Sequence, residues 1–161
     1  MPRSARRHHA NGRVRRAPTT ARRKLVLVIE DHASVGGLIA GLIRQEGYRA
    51  LRSWDAEDVS RILRDRRPDL ILLDLSMPGP GAVSPALEVL RSSDTARATP
   101  LLAVSGPNAL DPEERQSITE VVDKPFDIDV MLNAVRRALG DPEVMVEPRQ
   151  YDAQDYFLNG Y

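Results

Sequence analysis

Three short aliphatic runs constrain this chain more than any other feature: Leu25 to Ile29, Leu70 to Leu73, and Leu101 to Val104. None approaches the ~18–20 apolar residues needed to span a bilayer. A short, continuous aliphatic run reads as a strand covered on both faces, and two-sided burial belongs to parallel sheets. Each run also ends on polar residues: Glu30-Asp31, Asp74 and Ser105. The middle one is the sharpest case, because Asp74 is followed almost at once by the turn-forming Pro78-Gly79-Pro80-Gly81.

Helical patterns fill the spaces between the runs. Val35, Leu38, Ile39, Leu42 and Ile43 form an apolar stripe at helical spacing, and Gly47 stands where a helix C′ residue would. "YRALRSW" is a weaker strand. Asp55 caps a second helix with Val59, Ile62 and Leu63 on its apolar face, and Pro68 stops it. A short helix is expected from roughly Val83 to Ser92. Another begins with Asp111 as cap and Pro112 in the first position. "EVVDKPF" is a brief fifth strand. The last helix is capped, sets Ile128, Met131, Leu132, Val135 and Leu139 on one side, and ends at Gly140. Strands alternating with helices five times predict a parallel sheet covered on both faces, with right-handed crossovers. In such sheets the working crevice lies beyond the carboxyl ends of the strands.

The ends of the chain differ from its middle. Residues 1–23 hold Arg3, Arg6, Arg7, Arg13, Arg15, Arg16, Arg22 and Arg23 with no acid, and read as a disordered basic arm. His8 and His9 within it read as solvated. Residues 141–161 form an acidic tail holding Tyr151, Tyr156, Phe157 and Tyr161, read as an overhang. The domain is therefore expected at 24–140. There is no Cys, so thiolate metal sites are excluded, and no signal sequence is recognisable, which gives a cytoplasmic expectation with no membrane partner.

The strand ends converge Glu30, Asp31, Asp74, Ser105 and Lys124 on one edge. Three carboxylates packed together call for a cation, and hard oxygen ligands without Cys or a placed His suit Mg²⁺. The Ser76 backbone carbonyl is a further candidate ligand. An Asp beside Mg²⁺ is a credible nucleophile toward phosphorus. Lys124 is suited to pair first with Asp74 and then with a phosphoryl oxygen, and Ser105 to donate to another.

On these residues the chain resembles the receiver domain of two-component response regulators. Glu30-Asp31, "LLDLSMPG" around Asp74, "AVSG" with Ser105, and "DKPF" with Lys124-Pro125 carry the resemblance across about Lys24 to Gly140. It implies a flavodoxin-like (βα)5 three-layer sandwich with strand order 2-1-3-4-5. It implies Asp74 as phosphoacceptor, Ser105 as switch hydroxyl and Lys124 as phosphate contact. It also implies Mg²⁺ bound through Glu30, Asp31, Asp74 and the Ser76 carbonyl, a small residue at Gly106, and a cis bond before Pro125. The implied phosphodonor is a sensor histidine kinase or a phosphotransfer protein. The chain is expected to be a stand-alone receiver, a signalling module and not a classical enzyme, acting on a further protein. Val121 departs from the pattern, since the family often has an aromatic three residues before the Lys. The segment between Ser105 and Lys124 is also short. Two other classes fit the residues less well. A phosphorylation-independent interaction module, with the arm contacting nucleic acid, is opposed by the intact polar set. A phosphatase with a nucleophilic Asp would want a second acid at position 76, where Ser stands.

Overall fold

The structure is a computed structural model that describes residues 22–77, 84–106, 110 and 112–143. Five strands form one all-parallel sheet: β1 Leu25–Ile29, β2 Arg49–Ser53, β3 Leu70–Asp74, β4 Leu101–Ser105 and β5 Glu120–Asp123. Their order is β2-β1-β3-β4-β5, the flavodoxin-like arrangement expected from the sequence. The helices are α1 Ala33–Gln45, α2 Ala56–Asp65, α3 Pro85–Ser92, α4 Asp94–Arg97, α5 Pro112–Arg115 and α6 Ile128–Ala138.

Strand side chains alternate between the two faces, so the aliphatic runs are shared between two cores. Val26, Val28, Leu70, Leu72, Leu102 and Val104 face α1 and α6, where Ile39, Ile43, Met131 and Val135 cover them. Leu27, Ile29, Ile71, Leu73 and Leu101 face the other way, toward Val59, Leu63, Leu87 and Leu90 of α2 and α3. This is why β1 is apolar throughout, and β3 and β4 up to their last residues, Asp74 and Ser105: both faces are roofed.

Local signals fix the helix ends. Asp55 accepts the Asp58 N–H at 2.7 Å, and Asp127 accepts that of Asp129 at 2.9 Å. Gly47 and Gly140 adopt φ of 89° and 70°, the left-handed conformation that lets the chain leave α1 and α6. The fourth helix is one turn that the periodicity did not disclose. It starts where the Ser93 hydroxyl accepts the Ala96 N–H. Asp111 and Val83 lie outside the described residues, as do the basic arm before residue 22 and the tail beyond 143.

Two apolar faces differ from expectation. On α1 the buried residues are Gly36, Ile39, Ala40 and Ile43, while Val35 and Leu38 are 40% and 58% exposed. The helix is rotated from the expected stripe because two small residues face the sheet and let it approach closely. On α6, Ile128 is 41% exposed, and the buried apolar residues are Met131, Leu132, Ala134 and Val135.

Contacts reach slightly past the expected domain ends. Arg22 pairs with Asp69 at 2.7 Å. Lys24 Nζ donates to Leu139 O at 2.6 Å and to Asp141 Oδ1 at 2.7 Å, while the Tyr48 hydroxyl donates to Asp141 Oδ2 at 3.0 Å. Asp141 thus joins the start of β1, the α1–β2 turn and the end of α6. Burial, then the bond to Asp141, pushes the Tyr48 hydroxyl pKa up to about 12. Replacing Asp141 by Ala is expected to cost about 1 kcal/mol, because half-exposed pairs are well screened. In a chain of this size that lowers Tm by about 3–5 °C in a thermal melt. An unchanged Tm would show that α6 is held without this clasp.

Candidate functional site

The register of the sheet builds the site. Ile29 of β1 lies opposite Leu73 of β3, so the next residues, Glu30 and Asp74, leave the sheet side by side. Asp74 lies opposite Val104, which sets Ser105 one step further on β4, and Ser105 lies opposite Asp123, the residue before Lys124. Backbone bonds extend the ladder beyond the strands: Leu75 N–H to Val104 O at 2.9 Å and Lys124 N–H to Ser105 O at 2.7 Å. The Lys124-Pro125 bond is cis, as expected.

Asp74 is 5% exposed, yet both its oxygens are occupied. Lys124 Nζ donates to Oδ2 at 2.7 Å, and the Ser76 N–H donates to Oδ1 at 2.8 Å. Burial works to raise the Asp74 carboxyl. The Lys124 bond, the Ser76 N–H and a hydrogen bond with Glu30 outweigh it and hold the pKa below its ordinary value. Glu30, 4% exposed, has the opposite fate. Burial pushes its carboxyl up to about 7; the His32 N–H, at 2.9 Å from Oε1, opposes this, and Asp74 adds to the rise. The two acids therefore divide their roles. Asp74 carries the charge, and Glu30 holds a proton into the neutral range.

The remaining expected residues are placed as follows. Asp31 is exposed on the residue after Glu30. Among the described residues no three His, Asp or Glu side chains are gathered as for a metal ion. Ser105 is 2% exposed, and its hydroxyl donates to Gly106 O at 2.9 Å rather than toward Asp74. A Cβ built on Gly106 would meet no heavy atom within 4 Å. Ser76 contributes more than a backbone group, because Lys124 Nζ also lies 3.4 Å from its hydroxyl.

Gly36 and Arg52 were not singled out for the site. A Cβ on Gly36 would lie 3.2 Å from Glu30 Cγ and 3.3 Å from Arg52 Nε, and Arg52 donates to Ala33 O at 2.8 Å. The first turns of α1 thus pack directly on the Glu30 side chain, with Arg52 of β2 laid across them. The Gly36-Gly37 pair was the available signal, since a glycine inside a helix usually marks close approach.

Comparison with known proteins identifies similar chains. The family model described as the response regulator receiver domain matches residues 26–136. The sensor histidine kinase AruS of Pseudomonas aeruginosa is 33% identical over 132 residues, covering 80% of this chain and 13% of that protein. The polar-differentiation response regulator DivK of Brucella anthropi is 29% identical over 121 residues, covering 73% of this chain and 98% of that one. The solved receiver domain of the sensor histidine kinase PA1611 from Pseudomonas aeruginosa, with a magnesium ion in its active site cleft, superposes with a TM-score of 0.61. It is 25% identical over 74% of this chain and all of that one. Several curated relatives are much longer proteins, of which this chain spans less than a third.

The raised Glu30 pKa has a definite sign in stability. Below its ordinary value of 4.5 the carboxyl is protonated in folded and unfolded chains alike and costs nothing. As pH rises from 4.5 to about 7 the unfolded chain releases this proton first, so stability falls across that window and stays reduced above it. With a chelator present, Glu30→Gln is expected to stabilise the chain at alkaline pH by about 2–3 kcal/mol, with the gain vanishing toward acid. Urea denaturation at the two extremes of that window measures it; an equal gain at both would remove titration as the cause.

Proposed function

The chain belongs to the response regulator receiver domain family, and from that we propose that it accepts a phosphoryl group on Asp74 and signals by a phosphorylation-dependent protein contact. The observation that carries the reading is the ion pair of a buried, ionised Asp74 with Lys124 at 2.7 Å. Receiver domains are signalling modules, and the phosphodonor proposed here is a sensor histidine kinase or a phosphotransfer protein. Stand-alone action is supported by DivK, which is matched over 98% of its length. The domain is taken as 24–140, flanked by the basic arm and the acidic tail.

The chemistry follows from the residues. An Asp74 carboxylate oxygen attacks phosphorus; the new O–P bond forms as the donor's P–N bond breaks, leaving an acyl phosphate and a free imidazole. The depressed Asp74 pKa keeps the nucleophile ionised at neutral pH. Once Asp74 is esterified, the Lys124 ammonium loses its carboxylate and donates to a phosphoryl oxygen instead. Ser105 has to give up its Gly106 carbonyl to donate to another. A charge-assisted hydrogen bond of this type contributes about 1.5–3 kcal/mol, enough to shift a loop between two arrangements by about tenfold or more.

The donor set fits Mg²⁺. Glu30 and Asp74 are neighbouring hard-oxygen donors that would hold the ion, and Glu30 would release its proton to solvent on binding it. Asp31 stands beside them, and the Ser76 carbonyl follows Asp74. When bound, Mg²⁺ supplies charge neutralisation of the phosphoryl oxygens.

Acetyl phosphate with Mg²⁺ is expected to add one phosphoryl mass to the intact chain, stable in acid and labile in base. Asp74→Asn is expected to remove the adduct; its persistence would refute Asp74. A second measurement concerns output. Val121 is part-buried on β5 opposite Ala103, and its short branched side chain has no large rotamer swing to make. Amide exchange with and without beryllofluoride is expected to change most after Asp74 and after Ser105. A dominant change on Glu120–Asp123 and α6 would place the output there instead.

A further inference from the structure

Helix α1 carries glycines at 36, 37 and 41, although glycine is the poorest helix former after proline. Their surroundings differ. A Cβ at Gly41 would meet nothing within 4 Å, and one at Gly37 would meet only Arg52 Nη1, at an ordinary 3.6 Å. A Cβ at Gly36 would be wedged, 3.2 Å from Glu30 Cγ, 3.3 Å from Glu30 Cβ and 3.3 Å from Arg52 Nε. Both walls of that wedge are tied. Arg52 donates to Ala33 O at 2.8 Å. Glu30 is held at three points: its N–H donates to Ser53 O at 3.0 Å, its Oε1 accepts the His32 N–H at 2.9 Å, and its carboxyl is hydrogen-bonded with Asp74. His32 O in turn accepts the Gly36 N–H at 2.9 Å. The first turn of α1 therefore closes around Glu30, with His32 at the carboxyl and the bare backbone of Gly36 against the stem.

From this we propose that Gly36 is a positioning residue for Mg²⁺ binding: its missing side chain sets where the Glu30 carboxyl stands at the edge of the sheet. The proposal rests on the reading of the crevice as a Mg²⁺ site. Mg²⁺ demands near-octahedral oxygens at about 2.0–2.1 Å and tolerates little displacement of any of them. A methyl group at Gly36 has to push Glu30 aside or lift α1, by a few tenths of an ångström. Either movement displaces the carboxyl, because the His32 N–H ties it to the start of α1. Groups that orient a metal's ligands are typically worth about 10–100-fold in affinity. Asp74 and Lys124 come from β3 and from the residue after β5, outside the wedge. The loss therefore falls on Mg²⁺ affinity and not on the attack at phosphorus once the ion is bound.

The test compares Gly36→Ala, Gly37→Ala and Gly41→Ala in the full chain. Each replaces glycine by a better helix former on the same helix, so propensity cancels from the comparison. Mg²⁺ is titrated against each chain, and the rise in Tm reads the affinity. Gly36→Ala is expected to need about tenfold more Mg²⁺ for the same rise. Gly37→Ala and Gly41→Ala are expected to respond like the unaltered chain. Acetyl phosphate labelling of Gly36→Ala is expected to lag at limiting Mg²⁺ and to recover at saturating Mg²⁺. Equal Mg²⁺ affinity in all three variants would overturn the proposal. So would an equal loss in all three, which a general disturbance of α1 produces. Slow labelling of Gly36→Ala at every Mg²⁺ concentration would also overturn it, since the fault then lies beyond ion binding. If Gly36→Ala fails to fold, Arg52→Ala is compared with Arg52→Ala combined with Gly36→Ala, where one wall of the wedge is gone and α1 has room to shift. The double variant is expected to bind Mg²⁺ more weakly, and equal affinity overturns the proposal there too. An unaltered chain whose Tm ignores Mg²⁺ would refute the Mg²⁺ reading itself, and the role of Gly36 with it.

Discussion

A carboxylate stripped of water keeps its charge only where fixed donors replace that water. Asp74 is such a group, and much of the architecture is explained by what keeps it ionised. Lys124 reaches it from β5, two strands away, because the β3–β4–β5 register brings each strand to the same edge. The Ser76 N–H supplies the second donor through a tight turn. The neighbouring Glu30 is held protonated into the neutral range, so the pocket avoids two full charges in contact. Extending, shortening or slipping any of these strands by one residue would uncouple the set, since a one-residue slip turns a side chain to the other face.

The sequence disclosed the sheet because aliphatic runs with no polar interruption can be satisfied only by burial on both faces. It disclosed the strand-end polar set for the same reason: a polar residue closing such a run marks where cover ends. It was less informative wherever small residues decide the packing. Hydrophobic counting gave Val35 and Leu38 to the buried side of α1, but Gly36 and Ala40 lie there, because only they allow the helix to rest on Glu30 and the sheet. Ile128 was misassigned similarly, at a helix start where the cover of the sheet runs out. Hydrogen-bond direction is a further blind spot. Nothing in "AVSG" reveals that the Ser105 hydroxyl serves Gly106 O, a choice set by local backbone geometry.

The two faces of the sheet are also held differently. On the α1 and α6 side, Arg136 spans the helices, bonding Glu46 at the end of α1 and Asn133 on its own helix. The guanidinium is nearly buried, so this tie is protected from solvent screening to a degree that exposed pairs such as Arg97–Asp94 are not. Val35 and Leu38 remain on the outer surface of that firmly held layer.

The clasp of Lys24, Tyr48 and Asp141 has an architectural consequence. It holds the first residue before β1 against the first residue beyond Gly140, so the chain enters and leaves the fold at adjacent points. Compact units with neighbouring ends tolerate circular permutation and can be spliced into a loop of another protein without stretching either connection. Their entry point here is the edge remote from Asp74. Rejoining the ends by a short linker, or embedding the unit in a longer polypeptide, would leave the strand tips and the Asp74–Lys124 pair undisturbed.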